Sequence, residues 1–310
     1  MNIILMIIGL FILIKCADWF VEGSSKLAKT FGIPSLIIGL TIVGFGTSAP
    51  ETSVSVIASL NGMNDISIGN VVGSNIFNLL FILGISSFFG KITASKEVIK
   101  RDFPYAILTC IIIIIFSIRF FVNGSCEGVI SRLNGCILLI FLGIYLYILI
   151  KNAVSVSKET KTKFKIKNVL LIILGLIGII IGGKIVVSCA TKIAEMFNVS
   201  KTVIALTIVA IGTSLPELVT SLVATKKGET DIAIGNVIGS NIYNILFILG
   251  ISSIISPLTF KLETFIDVMI MFISTLLTYI LFLKNNRLNK NKGIILLLIY
   301  VVYMIYVLMR

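Results

Sequence analysis

The chain has 310 residues, 57% of them hydrophobic and 13% charged, with a mean hydropathy of +1.10 and a formal net charge of +12. That composition lies outside the range of a soluble domain and marks an integral membrane protein. There is no histidine, so imidazole is excluded as metal ligand, proton relay and catalytic base.

Runs of roughly 20 mostly apolar residues suit helices that cross the hydrocarbon core. Ten follow in chain order, at 2–22, 34–60, 66–90, 103–121, 128–150, 167–188, 201–225, 232–256, 264–284 and 291–309. None alternates as a barrel strand does, so the expected fold class is an all-α integral membrane protein with ten transmembrane helices. The first run lacks a basic leader and a small-residue cleavage pattern, and Lys15 and Asp18 interrupt its far end. It reads as a retained span rather than a signal. The second run contains Gly46-Thr47-Ser48-Ala49-Pro50-Glu51, and the third contains Gly69-Asn70-Val71-Val72-Gly73-Ser74-Asn75-Ile76-Phe77-Asn78. Beyond the basic stretch from Lys151 to Lys167, the seventh run carries Gly212-Thr213-Ser214-Leu215-Pro216-Glu217. The eighth carries Gly235-Asn236-Val237-Ile238-Gly239-Ser240-Asn241-Ile242-Tyr243-Asn244. Five cysteines, Cys16, Cys110, Cys126, Cys136 and Cys189, are odd in number and mostly in apolar runs, where thiols act as small hydrophobic fillers, so no disulfide is expected.

Both motif pairs are offset by 166 residues, and from residue 69 to residue 87, 16 of 19 positions match their counterparts. The chain is a duplicated unit, with a first five-helix repeat at 1–150, a basic cytoplasmic linker at 151–166 and a second repeat at 167–310. Five spans are an odd number, so the copies enter the membrane from opposite sides and the repeats have inverted topology. Charge tests this independently, because cytoplasmic loops are enriched in Lys and Arg. With both termini outside, the cytoplasmic loops hold 18 of the 26 basic residues, the external side 6, and Lys15 and Lys184 fall within runs. Leu60 and Asn61 correspond to Lys226 and Lys227, so the copy gained charge where inversion demands it. Topology explains the net charge, and no nucleic-acid partner is expected. The protein is placed in the cell membrane with its central loop cytoplasmic.

Ionisable residues at membrane depth mark substrate or ion pathways, and duplicated units with interrupted helices bind their cargo where the halves meet. Pro50 and Pro216 remove backbone donors and loosen the carbonyls around Gly46 and Gly212. Thr47 and Glu51 are four residues apart and Ser48 and Glu51 three, so hydroxyls, opened carbonyls and carboxylate share one small volume. Ser74 and Asn78, and Ser240 and Asn244, add a hydroxyl and an amide from each half. All are oxygen donors of the kind hard cations prefer. Two carboxylates balance one divalent ion or two monovalent ones, which gives competition at one site. Gly69, Gly73, Gly235 and Gly239 follow a small-xxx-small rhythm that permits close helix packing. A lone Pro in a membrane helix is ordinarily a kink and a lone Ser is bonded to its own backbone; recurrence beside a buried Glu in both copies argues against that plainer explanation. Asp65 and Asp231 read as helix N-caps, and Asp18 and Lys184, at equivalent positions, form a candidate pair.

On these motifs the chain resembles the cation/calcium exchanger superfamily, and within it the prokaryotic sodium/calcium exchangers, over nearly its whole length. The resemblance implies two inverted five-helix halves with both termini outside. It further implies that Glu51 and Glu217 are shared Ca²⁺ and Na⁺ ligands, aided by the Thr47 and Thr213 carbonyls at the divalent site. Sodium would bind around Ser48 and Ser74 on one side and Ser214 and Ser240 on the other. The backbone at Gly44 and Ala210 and the Thr hydroxyls would complete those positions, with Asn78 and Asn244 lining the middle. Some similar exchangers have Asp where this chain has Asn244, so here the cage has two carboxylates rather than three. The expected activity is secondary antiport of Ca²⁺ against Na⁺ by alternating access, without covalent chemistry or cofactor, in a lipid bilayer and with a monomer sufficient. Rival readings are a proton-coupled Ca²⁺ antiporter and, from another class, a passive cation channel. An intramembrane hydrolase is poorly served, since Ser48 and Ser214 have no His.

Overall fold

The computed structural model describes residues 2–122, 128–156, 164–197 and 210–309. Cys126, Lys158, Lys161, Lys163, Lys201 and the opening of the run at 201–225 lie outside these residues. The chain is predominantly helical. Its helices are α1 (Asn2–Phe31), α2 (Ser35–Thr47), α3 (Ala49–Leu60), α4 (Asn64–Phe89), α5 (Phe103–Val122) and α6 (Arg132–Val156). There follow α7 (Ile166–Met196), α8 (Ala210–Thr213), α9 (Leu215–Lys226), α10 (Thr230–Ile255), α11 (Leu262–Leu283) and α12 (Lys290–Met309). Among the described residues seven of these, α1, α4, α6, α7, α10, α11 and α12, are long and apolar enough to cross a membrane.

The expected run at 34–60 is not one helix. It breaks at Ser48, whose ψ of 8° ends α2, and Pro50 then opens α3, where a missing N–H costs nothing because first-turn donors have no intrahelical acceptor. Ser214, with ψ of 7°, and Pro216 break the chain between α8 and α9 in the same way. Each broken helix returns through a tight turn at Gly62 or Gly228, with φ of +71° and +77°, a conformation that glycine adopts without strain.

The centre of the fold is α4 and α10. In each, 78% of the apolar window is buried, against 22 to 39% in the other five long helices, so these two are shielded by protein rather than lipid. Both contain a π-helical turn, Phe77–Ile82 in α4 and Asn244–Leu249 in α10, where one extra residue per turn rotates the following side chains. Around them the elements exchange partners. Strand β1 (Ile92–Thr93), after α4, pairs with β4 (Arg287–Leu288), before α12, and β3 (Leu258–Phe260), after α10, pairs with β2 (Gly128–Ile130), before α6. Among the described residues these two- and three-residue ribbons are the one departure from an all-α chain. Gly84 of α4 lies against Leu297 and Gly293 of α12, and the equivalent Gly250 of α10 lies against Leu139 and Gly135 of α6. The last helix of each half thus packs on the central helix of the other.

The helix pair α1 and α7 stands apart. A side chain at Gly175 or Gly182 would strike the backbone of α1 within 3.0 Å, and one at Gly9 would strike Ile185, so a seam of small residues brings the two helices into close contact. Gly235 and Gly239 do the same for α10 against Gly39 and Leu40 of α2. Gly69 and Gly73 meet nothing within 4 Å, and the segment equivalent to Gly39 and Leu40, residues 205–206, is outside the described residues.

Neither predicted N-cap is found. Met63 and Glu229 hold the cap positions of α4 and α10, and Asp65 and Asp231 sit inside the first turn, where a carboxylate is favoured by the helix dipole without bonding a backbone N–H. Asp65 is 3.7 Å from Lys261. The candidate pair of Asp18 with Lys184 is also corrected. Asp18 pairs with Lys227 at 2.7 Å, because α1 lies beside the end of α9. Cys16, Cys110, Cys136 and Cys189 are all free thiols.

Candidate cation site

Both helix breaks abut the π-helical stretches of α4 and α10, and at that level the interior turns polar. Glu51, Glu217, Thr47, Ser214, Ser240, Asn78 and Asn244 have no exposed surface, and Ser48 and Ser74 have 2 and 3%. Charge so far from water requires partners or a bound counter-ion.

The partners come across the two halves. Ser214 Oγ donates to Glu51 Oε1 at 2.9 Å, and Ser48 Oγ donates to Glu217 Oε1 at 3.1 Å. Each break therefore presents a hydroxyl to the other's carboxylate, and the two carboxylates lie within electrostatic reach of each other. Ser74 Oγ lies 2.9 Å from Ser214 Oγ and 3.4 Å from Glu51 Oε1. Ser240 Oγ donates to the Gly44 carbonyl at 3.1 Å and lies 3.4 Å from Thr47 Oγ1. Ser74 thus associates with Ser214, and Ser240 with Thr47 and Gly44, because each central helix faces the break of the opposite half. Ala210 supplies the first residue of α8.

Behind this layer stands a polar frame of pseudo-twofold symmetry. Asn70 Nδ2 donates to the Glu51 carbonyl at 3.2 Å and to Ser55 Oγ at 2.9 Å, and Asn236 Nδ2 repeats this with the Glu217 carbonyl at 3.2 Å and Ser221 Oγ at 2.9 Å. The Asn oxygens then take Thr hydroxyls from the other half, Thr213 to Asn70 at 3.3 Å and Thr47 to Asn236 at 2.9 Å. Asn75 and Asn241 each donate to the other's backbone carbonyl at 3.2 Å. Their own oxygens accept from Asn244 at 3.0 Å and Asn78 at 2.9 Å.

Once these bonds are assigned, four buried oxygens in this region have no donor among the described residues: Glu51 Oε2, Glu217 Oε2, Asn78 Oδ1 and Asn244 Oδ1. They form two equivalent pairs, one carboxylate and one amide oxygen from each half. A buried acceptor without a donor is costly, and a hard cation satisfies such oxygens directly. Among the described residues no cluster of three His, Cys, Asp or Glu side chains occurs, so the donor set is two carboxylates completed by neutral oxygens.

The model of the sodium/calcium exchanger protein family matches residues 1–151 and 167–309. The chain belongs to the sodium/calcium exchanger family. Along 98% of its length it is 30% identical to the sodium/calcium exchanger MaX1 of Methanosarcina acetivorans, covering 97% of that protein. It is 38% identical to the inner membrane protein YrbG of Escherichia coli over 82% of the chain and 79% of that protein. Its fold superposes on the solved structure of the sodium-calcium exchanger NCX_Mj soaked with Na⁺ and Sr²⁺, with a TM-score of 0.85, 34% identity and 97% of each chain covered. The exchanger described here is accordingly a multi-pass membrane antiporter of Na⁺ and Ca²⁺ and not an enzyme, and the ions are its transported substrates.

Four residues that hold this exchanger's site in shape were not singled out from its sequence, namely Asn70, Asn236, Asn75 and Asn241. A signal existed, since all four recur at the offset of 166 inside the duplicated segments. Nothing in a linear pattern says which amide faces the cavity and which braces it. Asn78 and Asn244 lie within the π-helical stretches, and Asn75 and Asn241 in the α-helical turns before them.

Proposed function

We propose that Ca²⁺ and Na⁺ compete for one site at the bilayer midplane, built where two inverted five-helix repeats, 1–150 and 167–310, face each other. Glu51 and Glu217 are its charged ligands, with Asn78 and Asn244 between them and the carbonyls of Thr47 and Thr213 completing the divalent position. Sodium occupies flanking positions drawn from Ser48, Ser74, Ser214, Ser240 and the backbone at Gly44 and Ala210. The observation that carries this reading is the set of four buried, donor-less oxygens, two carboxylate and two amide, contributed equally by the halves. Two negative charges balance one Ca²⁺ or two Na⁺, so loading one ion type displaces the other and the carrier exchanges rather than co-transports.

Alternating access follows if α1 and α7 slide as a pair over a core of α2, α3, α4, α8, α9 and α10. In support, the core is laced by the amide frame, whereas the pair meets the helix breaks through apolar groups. A side chain at Gly46 would touch Leu176 and Phe20, and one at Gly212 would touch Val187. Apolar contact has no directional bonds to break during sliding. The excess of Lys and Arg in the odd-numbered loops, the central one among them, supports both termini outside and a cytoplasmic linker at 151–166, and the family match omits 152–166. Both halves of the site come from one chain, so a monomer suffices.

The test is ⁴⁵Ca²⁺ uptake into proteoliposomes driven by an outward Na⁺ gradient, for the wild type and for Glu51→Gln and Glu217→Gln. Uptake in the wild type and none in either variant is expected. Uptake that persists in both variants would remove the glutamates from the mechanism, and uptake driven equally well by a pH gradient alone would favour proton coupling.

A further inference from the structure

Away from the cation site a concavity with a volume of about 500 Å³ lies between α1 and α9. Its two ends differ in chemistry. One is walled by Phe11, Ile14 and Val223, and Phe11 and Ile14 are 69 and 53% exposed, an arrangement stable only against acyl chains. The other end gathers Lys15, Lys226 and Lys227 around Asp18. Asp18 is already committed to Lys227 at 2.7 Å, and no carboxylate lies within ion-pairing distance of Lys15 or Lys226 among the described residues. A net excess of two positive charges therefore sits at the mouth of an apolar trough between two membrane helices.

We infer that this groove is a binding site for an anionic phospholipid, its phosphate held by Lys15 and Lys226 and its acyl chain lying along Phe11, Ile14 and Val223. Lysines that merely snorkel would spread toward water; here they converge with a third over one cavity. A free inorganic phosphate would leave the apolar wall unused, so a lipid is the occupant that both ends fit. The proposal rests on the orientation given above, which puts Lys226 and Lys227 at the cytoplasmic leaflet, the anionic one, where basic pockets between helices take acidic headgroups. A lipid so placed touches α1 of the sliding pair and α9 of the core at once, and so bears on the step that the transport reading requires.

Native mass spectrometry of the purified full-length chain, titrated with phosphatidylglycerol or phosphatidylcholine of the same acyl composition, tests this. At the usual increment for a lysine near a lipid surface, two lysines give roughly 30-fold tighter retention of one phosphatidylglycerol. The double variant Lys15→Gln/Lys226→Gln is expected to lose that preference, and Lys15→Arg/Lys226→Arg to keep it. Equal retention of the two lipids by the wild type would overturn the inference. So would a preference that survives the Gln substitutions, or one abolished by millimolar inorganic phosphate. Should the Gln variant not fold, the lipid comparison on the wild type and the Arg variant still decides. Sodium-driven Ca²⁺ uptake in phosphatidylcholine vesicles is expected to continue in the Gln variant. Failed exchange by the wild type with phosphatidylglycerol still retained would sink the transport reading and leave this one standing.

Discussion

Around Glu217 the hydroxyls are shared out: Ser48 donates to the carboxylate at 3.1 Å, while Ser240, which also interacts with that carboxylate, donates to the Gly44 carbonyl at 3.1 Å. Around Glu51 they are drawn together, with Ser214 donating to the carboxylate at 2.9 Å and Ser74 reaching both, at 2.9 and 3.4 Å. The sequences of these two regions are nearly the same, and the frame behind them repeats almost to the tenth of an ångström, with Asn70 and Asn236 each making bonds of 3.2 and 2.9 Å. The difference lies wholly in hydroxyls, which rotate about one bond and can exchange partners. The frame is built from amides, whose paired donors and acceptors admit one arrangement. A carrier that must take ions of unlike charge in turn needs both parts, a stiff scaffold and a lining that can be rearranged.

The comparison is broken most severely at the carboxylates, where the halves are equal. Neutralising one of two charges about 4 Å from a cation removes on the order of 4 kcal/mol per unit ion charge at an effective dielectric near 20. For Ca²⁺ that is about 8 kcal/mol, so Glu51→Gln and Glu217→Gln are each expected to weaken Ca²⁺ binding by on the order of 10⁶-fold, beyond detection, measured by calorimetry on purified protein. A deep loss in one variant and a slight loss in the other would mean that a single half carries the divalent ion. The frame comes next. Asn75→Ala and Asn241→Ala each strand a buried carbonyl and a neighbouring amide, costing about 1–3 kcal/mol, and thermal unfolding should fall by similar amounts in both. Unequal falls would show that the twofold amide frame is not shared evenly.

Much of this was legible beforehand because it rests on residues whose chemistry conflicts with lipid. Glu51, Glu217, Pro50 and Pro216 announce the candidate site by being where an acyl-facing helix would not carry them, and the offset of 166 pairs every proposed ligand with its twin. The braces were hidden for the converse reason. Asn75 and Asn78 are the same residue type three positions apart, and only the partners they meet across the halves separate their tasks. The partner exchange of β1 with β4 and β3 with β2 was also out of reach, since ribbons of two or three residues leave no periodicity. Asp18 and Lys184 pair on sequence equivalence, but α1 and α7 cross antiparallel, with Gly182 against Gly9 and Leu13 and Gly175 against Cys16 and Phe20, which sets Lys184 away from Asp18. The true partner, Lys227, is brought near by packing of α1 on α9.

The hydroxyls offer a finer test. Ser74 lies 3.4 Å from the carboxylate of Glu51, whereas Ser240, which also interacts with the carboxylate of Glu217, makes its hydrogen bond of 3.1 Å to the Gly44 carbonyl. If Na⁺ draws on these hydroxyls, Ser74→Ala removes a group already coupled to the charged ligand, and Ser240→Ala removes one bound to a neutral carbonyl. One neutral hydrogen-bonding group contributes about 1 kcal/mol, so Ser74→Ala is expected to raise the half-saturating Na⁺ concentration roughly 5-fold and Ser240→Ala by less. Equal shifts would mean that the two hydroxyl arrangements interconvert faster than ions load, and the asymmetry would then carry no functional weight.

The smallest effect lies farthest from the site. On one face of the molecule α1 is tied to the turn after α9 by Lys227 to Asp18 at 2.7 Å and by Ser25 Oγ donating to Glu229 Oε1 at 2.6 Å. The equivalent turn on the other face has Leu60, Asn61, Gly62 and Met63, none of which can form an ion pair. If α1 moves over the core, these ties must part on one stroke and have no counterpart on the other, so they bias the resting equilibrium toward closure on their own face. The Asp18 and Lys227 side chains are each about a third exposed, and such pairs contribute at most about 1 kcal/mol. Asp18→Asn is therefore expected to shift the ratio of the two access states by no more than about 5-fold, read from thiol labelling of single cysteines placed on the two faces in a background lacking Cys16, Cys110, Cys126, Cys136 and Cys189. A shift toward labelling on the tied face supports the bias; no shift in Asp18→Asn combined with Ser25→Ala would assign both contacts to holding the fold alone.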